Sequence, residues 1–345
     1  MKFSLFVHME RADPAVGHAE LHRNLVDLAL MAEAGGMEAV WIGEHHGMEF
    51  TIAPNPFIYL ADLARRTERV RLGTGTIVAP FWHPIKLAGE AALVDLLSGG
   101  RLDLGLARGA YQFEFDRLAG GMPGPEGSRH LREMVPALKG LWQGDYAHEG
   151  ACWSFPSTTA SPKPVQEPHP PIWIAARDPS SHDFAVANGC NVQVTPLWQG
   201  DGEVETLAER FRKACAAHPD TPRPRLMLLR HTFVAENEAG TDEIARAMSR
   251  YYAYFGAWFK NERPIRQGFI EPLTEAEIEA QAMYAPERMK EQLVIGTPER
   301  VIARLRRAEE LGVDQYAVWI DSLMDFGRKR RSLDLFIKEV MPAFA

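Results

Sequence analysis

The chain is 345 residues long, with 38 Lys and Arg against 46 Asp and Glu, a formal net charge of -8. That length suffices for a large, well-buried core, and the mildly acidic balance argues against nonspecific nucleic-acid binding, which needs clustered positive charge. The three cysteines, Cys152, Cys190 and Cys215, are odd in number and widely spaced, so a disulfide framework and a CxxC metal site are both excluded and a reduced, cytoplasmic setting is expected.

Phe3 to Val7 is an apolar run that reads as a buried strand, interrupted too soon by His8, Glu10 and Arg11 for a signal-peptide core. No uncharged apolar run approaches the roughly 20 residues that span a bilayer, so no membrane partner is expected. Leu21, Leu25, Leu28, Ala29 and Ala32 recur at helical spacing until Gly35-Gly36 stops them. The strand Ala39 to Ile42 exits into Gly43-Glu44-His45-His46-Gly47. A helix from Pro56 to Arg66 precedes the strand Val70 to Leu72, which runs into Gly73-Thr74-Gly75-Thr76. A third helix, Ile85 to Leu97, ends at Ser98-Gly99-Gly100, and the strand Leu102 to Leu106 exits into Ala107-Arg108-Gly109-Ala110-Tyr111.

After a Gly/Pro-rich loop from Gly120 to Gly127, Ser128 can cap a helix that runs through Trp142. Residues 145–171 are polar, aromatic and rich in proline, an insertion in the rhythm. The strand Ile172 to Ala176 follows, then a helix through Asn188 with Ser180 or Ser181 as its cap, and the strand Asn191 to Val194. Next come a helix from Glu205 to Ala217, the strand Arg225 to Val234 and a helix from Ala245 to Tyr254. Periodicity dissolves over residues 257–294, a second insertion. The chain closes with a helix that ends at Gly312, the strand Gln315 to Ile320 and an amphipathic helix from Phe326 to Phe344. About eight strands in a β/α alternation with no linker predict one domain over residues 1–345, a (β/α)8 TIM barrel with two insertions. A doubly wound open sheet has the same rhythm, and the strand count favours the barrel.

Barrel enzymes place their chemistry where strands end, so the exits carry the candidates. Side chains alternate along a strand, so at most one of His45 and His46 faces inward, where it can act as general base beside Glu44. The alternative is a pair of surface histidines. A metal needs further ligands, and His8, His83 and His231 are scattered. Gly73-Thr74-Gly75-Thr76 lacks both the dinucleotide and the P-loop fingerprint, but its small residues would let a flat ligand lie against the backbone. The charge of Arg108, after an apolar run, must emerge at the strand end or be paired; phosphate is a natural partner, and Arg129 offers a second contact. Ala175-Ala176-Arg177-Asp178-Pro179-Ser180-Ser181 opens a helix whose N–H groups and hydroxyls suit a phosphate, with ordinary capping by Ser180 or Asp178 as the other reading. His231 is either structural or points into the barrel mouth with its neighbour Arg230.

With these residues assembled, the sequence resembles the bacterial luciferase family of flavin-dependent monooxygenases. The resemblance is carried by the starting MKF strand, WIGEHHG, NPFIYLADL, GTGTIVAPFWHPIKLAGEAALVDLLSGGRLDLGLARGAY, IWIAARDPSS and IGTPERV. It implies a barrel that holds reduced FMN, supplied by a separate NAD(P)H:flavin reductase, and uses O2 to oxygenate a small organic substrate. It also implies a non-proline cis peptide at Gly75-Thr76 beside the flavin, with Ala110 and Tyr111 bordering the ring. Arg108, Arg129, Ala176, Arg177, Asp178, Ser180 and Ser181 would lie on the phosphate side, and His45 matches the catalytic histidine. Residues 257–294 correspond to a mobile lid, and a homodimer is expected through helices beside the early strands. Ala107 stands where light-emitting members carry a reactive cysteine, and Arg177 replaces a glutamate, so aldehyde luminescence is not implied. Hydride transfer with the deazaflavin F420 and a non-catalytic flavin-binding subunit are the competing readings.

Overall fold

Strands buried on both faces read as near-continuous apolar runs, and that is the pattern of the eight that make the barrel. They are β1 (Lys2–Val7), β2 (Ala39–Ile42), β3 (Arg71–Thr74), β4 (Leu102–Ala107), β5 (Ile172–Ala175), β6 (Asn191–Val194), β7 (Leu226–Val234) and β8 (Gln315–Trp319). The computed structural model describes residues 1–344. Each strand pairs in parallel with the next in the chain, from Ser4 beside Ala39 round to Leu228 beside Tyr316. β8 returns to β1, with Leu5 beside Val318, and the sheet closes on itself. The open-sheet alternative is thereby excluded.

The helices α1 (His18–Ala34), α2 (Pro56–Arg66), α3 (Pro84–Leu97), α4 (Gln112–Leu118), α5 (Gly127–Gln143), α6 (Pro179–Ala187), α7 (Gly200–Ala217), α8 (Glu238–Lys260), α9 (Pro298–Glu310) and α10 (Phe326–Leu335) accompany the strands. No helix is long and apolar enough to cross a membrane among the described residues. Several boundaries differ from expectation. α4 follows Tyr111 directly, and α5 begins at Gly127 without a side-chain cap; Ser128 instead donates from Oγ to the Pro125 carbonyl at 2.9 Å. α6 is capped by Asp178, which accepts from Ser181 N at 3.0 Å, rather than by either serine. α8 does not stop at Tyr254; every residue from Tyr251 to Trp258 is buried within it. A helix packed on all sides has no polar face, so no amphipathic period marks its end.

Residues 145–171 contain a hairpin, Tyr146–Glu149 against Ser154–Thr158, and two cis prolines, Pro162 and Pro168. Gln166 from this stretch binds Asp95 and the Leu102 carbonyl, both at 2.7 Å, beside the Arg71–Asp103 ion pair at the start of β3 and β4. Residues 257–294 complete α8, then form the small hairpin Ile265–Arg266 and Phe269–Ile270 and the short helices Glu275–Glu279 and Pro286–Gln292. Val294–Gly296 then lies alongside β7.

Candidate active site

The exit of β2 sorts its residues by alternation. His46 turns aside: its Nε2 meets Glu44 Oε1 at 2.6 Å and its ring edges Phe81. His45 turns to the barrel mouth, its ring centre 5.0 Å from that of Tyr111 and 5.4 Å from that of His8. Its Nδ1 pairs with Glu114 Oε2 at 3.0 Å, while Glu114 Oε1 accepts the His46 backbone N–H at 2.7 Å. Glu114, on α4, is 1% exposed, so the ring is oriented by a fixed acid and Nε2 is its unengaged nitrogen.

Glu44 braces the chain around it. Its carboxylate accepts from Val78 N at 2.8 Å and Trp82 Nε1 at 3.0 Å in addition to binding His46. Burial raises its pKa despite those bonds. Burial would lower His46, but the bond to Glu44 outweighs it and the imidazole pKa is raised. The 2.6 Å bond joins the two. They clamp the segment after β3, where the Gly75–Thr76 peptide is cis.

The glycines of that segment are small for the barrel's sake. A Cβ on Gly73 would lie 2.1 Å from Trp41, and one on Gly75 2.6 Å from Phe6. Interior side chains occupy those places, so a flat ligand would meet the half-buried peptide between Gly75 and Thr76 and not a gap left by the glycines.

The exits of β4 and β5 meet at two helix starts. A Cβ on Gly127 would fall 2.1 Å from the Arg108 carbonyl, so the first turn of α5 sits on the Arg108 backbone. Arg132 on α5 reaches Ser180 at the start of α6, 3.2 Å from both its carbonyl and its Oγ. Ser181 Oγ accepts from Arg177 N at 3.1 Å, and Ala176 behind it is buried, its N–H on the Gln193 carbonyl. Arg177 binds Gln199 at 2.7 Å. Arg108 and Arg129 are exposed and make no hydrogen bond or ion pair among the described residues. Two cations without partners beside helix N-termini suit a phosphate. Ala110 is exposed, whereas Tyr111 is buried between His45 and Phe259, the latter 4.7 Å away centre to centre.

The centre of the mouth holds two acids that sequence reasoning missed, beside the His231 that it named. Glu10, after β1, accepts from the Tyr251 hydroxyl at 2.6 Å, and Asp321, after β8, accepts the His8 N–H at 2.6 Å. His231 points inward, stacks on Trp319 at 3.9 Å and bonds the Tyr252 hydroxyl through Nδ1 at 2.7 Å. Its neighbour Arg230 points outward to Asp201, at 2.6 Å. Burial holds His231 well below the ordinary histidine pKa; His8 is lowered by burial and then by the nearby His45 and His231. Burial, and after it Asp321, pushes Glu10 well up. Trp198, Phe255 and Phe259 complete an aromatic cover, with Phe255 and Phe259 4.8 Å apart. The only sequence signal for Glu10 was an acid directly after an apolar strand. Among the described residues, no group of three or more His, Cys, Asp or Glu side chains could hold a metal ion; His83 caps α3 through Nδ1, 3.3 Å from Ile85 N.

Comparison with known proteins places this geometry among relatives. The sequence profile described as luciferase-like monooxygenase matches residues 1–315. The oxygenase component of the flavin-dependent trigonelline monooxygenase of Acinetobacter baylyi is 57% identical over 345 residues, covering 100% of this chain and 96% of that protein. The crystal structure of the monooxygenase RslO1 from Streptomyces bottropensis superposes with a TM-score of 0.84 at 26% identity, covering 100% of both chains. The oxygenating constituent of 3,6-diketocamphane monooxygenase from Pseudomonas putida, in complex with FMN, shares the fold with a TM-score of 0.79 at 18% identity, over 99% of this chain and 98% of that one.

Proposed function

We propose that this chain, which belongs to the luciferase-like monooxygenase family, is the oxygenase component of a two-component enzyme. It takes reduced FMN from a separate NAD(P)H:flavin reductase and uses O2 to oxygenate trigonelline or a close analogue, a small aromatic ring with a quaternised nitrogen and a carboxylate. The observation that carries the flavin assignment is the set of partnerless cations at one end of the site, Arg108 and Arg129, with the half-buried Gly75–Thr76 peptide and the Glu114-held His45 at the other. The substrate class is supported by the 57% identity to the trigonelline oxygenase component and by an aromatic mouth, whose ring faces attract a cation.

Bound FMN would supply the redox chemistry. Arg108, Arg129, Arg177 and the hydroxyls of Ser180 and Ser181 would hold its phosphate, with Asp178 keeping the start of α6 in place. The ring would lie on the Gly75–Thr76 peptide, bordered by Ala110. His45 would move a proton at Nε2, with Glu114 fixing the tautomer. Residues 257–294, with the aromatic end of α8, would act as the lid that excludes water. Retention of the His45–Glu114 pair argues against a non-catalytic subunit. Ile58 on α2 and Leu93, Leu96 and Leu97 on α3, all more than 40% exposed, support a homodimer face, which sedimentation tests. Three free cysteines support a cytoplasmic setting.

The purified chain, NADH, FMN and a flavin reductase should together consume O2 and trigonelline in step. Rapid NADH oxidation without the reductase would overturn the two-component arrangement. Tighter binding of F420 than of FMN would overturn the cofactor.

A further inference from the structure

The substrate reading leaves one buried group unexplained, and the inference drawn from it rests on that reading. Glu10 is 8% exposed. Its Oε1 takes the Tyr251 hydroxyl, but Oε2 has no partner. A buried acceptor without a bond is uncommon and calls for a cause. The protein offers no counter-charge. His8 Nδ1 stands 3.6 Å from Oε1, yet its burial among His45 and His231 disfavours a charged ring. Lys329 on α10 acts on Glu10 from a distance and makes no ion pair among the described residues.

Tyr251, which holds the acid, is the near end of an aromatic cluster. Tyr251 lies 4.9 Å from His231 and 6.0 Å from Phe255, centre to centre, and Phe255 lies 6.0 Å from Trp319. A buried acid oxygen beside an aromatic cluster is the chemistry that recognises a fixed positive charge on a flat organic molecule. We propose that Glu10 is the counter-charge subsite for the quaternised ring nitrogen of the substrate, and so sets the preference for N-alkylated pyridinium rings over their uncharged-nitrogen counterparts.

Proton release should accompany binding. The titratable and charged groups near Glu10 are His8 from the β1 exit, Asp321 from the β8 exit, Tyr251, Tyr252 and Tyr254 from α8, Tyr111 from the β4 exit and Lys329 from α10. Burial and Asp321 together favour the protonated acid while the subsite is empty. A fixed cation at Oε2 favours the carboxylate, and the proton passes to the buffer.

The test is calorimetric titration of the chain as isolated, without flavin or O2, with trigonelline, N-methylnicotinamide and nicotinate. Nicotinate keeps the ring and the carboxylate but lacks the fixed charge; N-methylnicotinamide keeps the charge alone. The wild type should prefer both cations to nicotinate by about 10- to 100-fold, the range expected for a bond to a charged partner. Repeating the titration in buffers of different ionisation enthalpy should show proton release with the cations only. Glu10→Gln, which still accepts from Tyr251, should lose both the preference and the proton release while binding nicotinate within threefold of wild type. Glu10→Asp should keep both at reduced affinity, and it carries the test should Glu10→Gln fail to fold. A Glu10→Gln protein that retains the cation preference, or a wild type that lacks it, overturns the subsite. Selective cation binding without trigonelline turnover supports the subsite and overturns the proposed reaction; turnover without selectivity does the reverse.

Discussion

Replacing Glu114 by Gln tests whether His45 works through the acid that holds it. In the native protein the two carboxylate oxygens accept two hydrogens, from His45 Nδ1 at 3.0 Å and from the His46 backbone at 2.7 Å. An amide has one acceptor and one donor end. The backbone N–H of His46 has no alternative, so the amide oxygen goes to it and the amide NH2 faces Nδ1. His45 must then accept at Nδ1 and carry its hydrogen on Nε2, the reverse of the native tautomer. Exchange of buried bonds to a charged acceptor for neutral ones should lower stability by about 1–2 kcal/mol, measured by denaturant unfolding. The wrong tautomer should lower turnover of trigonelline by about 10²–10⁴, the usual weight of a positioned acid–base group, with FMN affinity by fluorescence titration unchanged. Nitrogen NMR of His45 reads the tautomer directly. A Glu114→Gln enzyme with native turnover and a hydrogen on Nε2 would refute the assignment of proton transfer to His45.

Arg108→Ala and Arg129→Ala should each weaken FMN binding by about tenfold, a charged bond's share, and leave riboflavin binding unchanged, because riboflavin lacks the phosphate. Their melting temperatures should match wild type, since neither arginine has a partner to lose. Gly105→Ala should lower unfolding free energy by about 1–3 kcal/mol or more, because a Cβ there would lie 2.1 Å from the Thr74 carbonyl oxygen. Acidification below about pH 6.5, the ordinary histidine value, should destabilise the protein. His8 and His231 are held well below that value by burial, so the unfolded chain takes up protons that the folded chain does not, and stability falls as pH falls. His231→Gln should flatten the slope of melting temperature against pH between 7 and 5.

The barrel was legible because parallel strands covered on both faces are continuous apolar runs with glycine or charge at their ends. His45 was legible for the same reason: it stands where β2 runs out. Its partner was not, because Glu114 lies 69 residues away and sits in a helix too short to show a period. Glu10 and Asp321 were hidden by longer separations still, Glu10 being 241 residues from Tyr251 and Asp321 313 from His8. Closing the barrel brings the first and last strand exits together, and local sequence carries no trace of that. The glycines after β3 were visible but open to two meanings; only the positions of Trp41 and Phe6 assign them to barrel packing.

One helix contributes to both the proposed subsite and its cover. α8 supplies the hydroxyls that hold Glu10 and His231, from Tyr251 and Tyr252, and also the rings that lie over the mouth, from Phe255 and Phe259. On the proposed reading, size and shape of the guest are thus set by about three consecutive turns of a single rod, since residues recur every 3.6 along it. The proposed phosphate end lies elsewhere, on the starts of α5 and α6. A descendant that changed guests would need to rewrite the rod and Glu10, inheriting the proposed flavin site untouched, and a survey of relatives should find variation concentrated there.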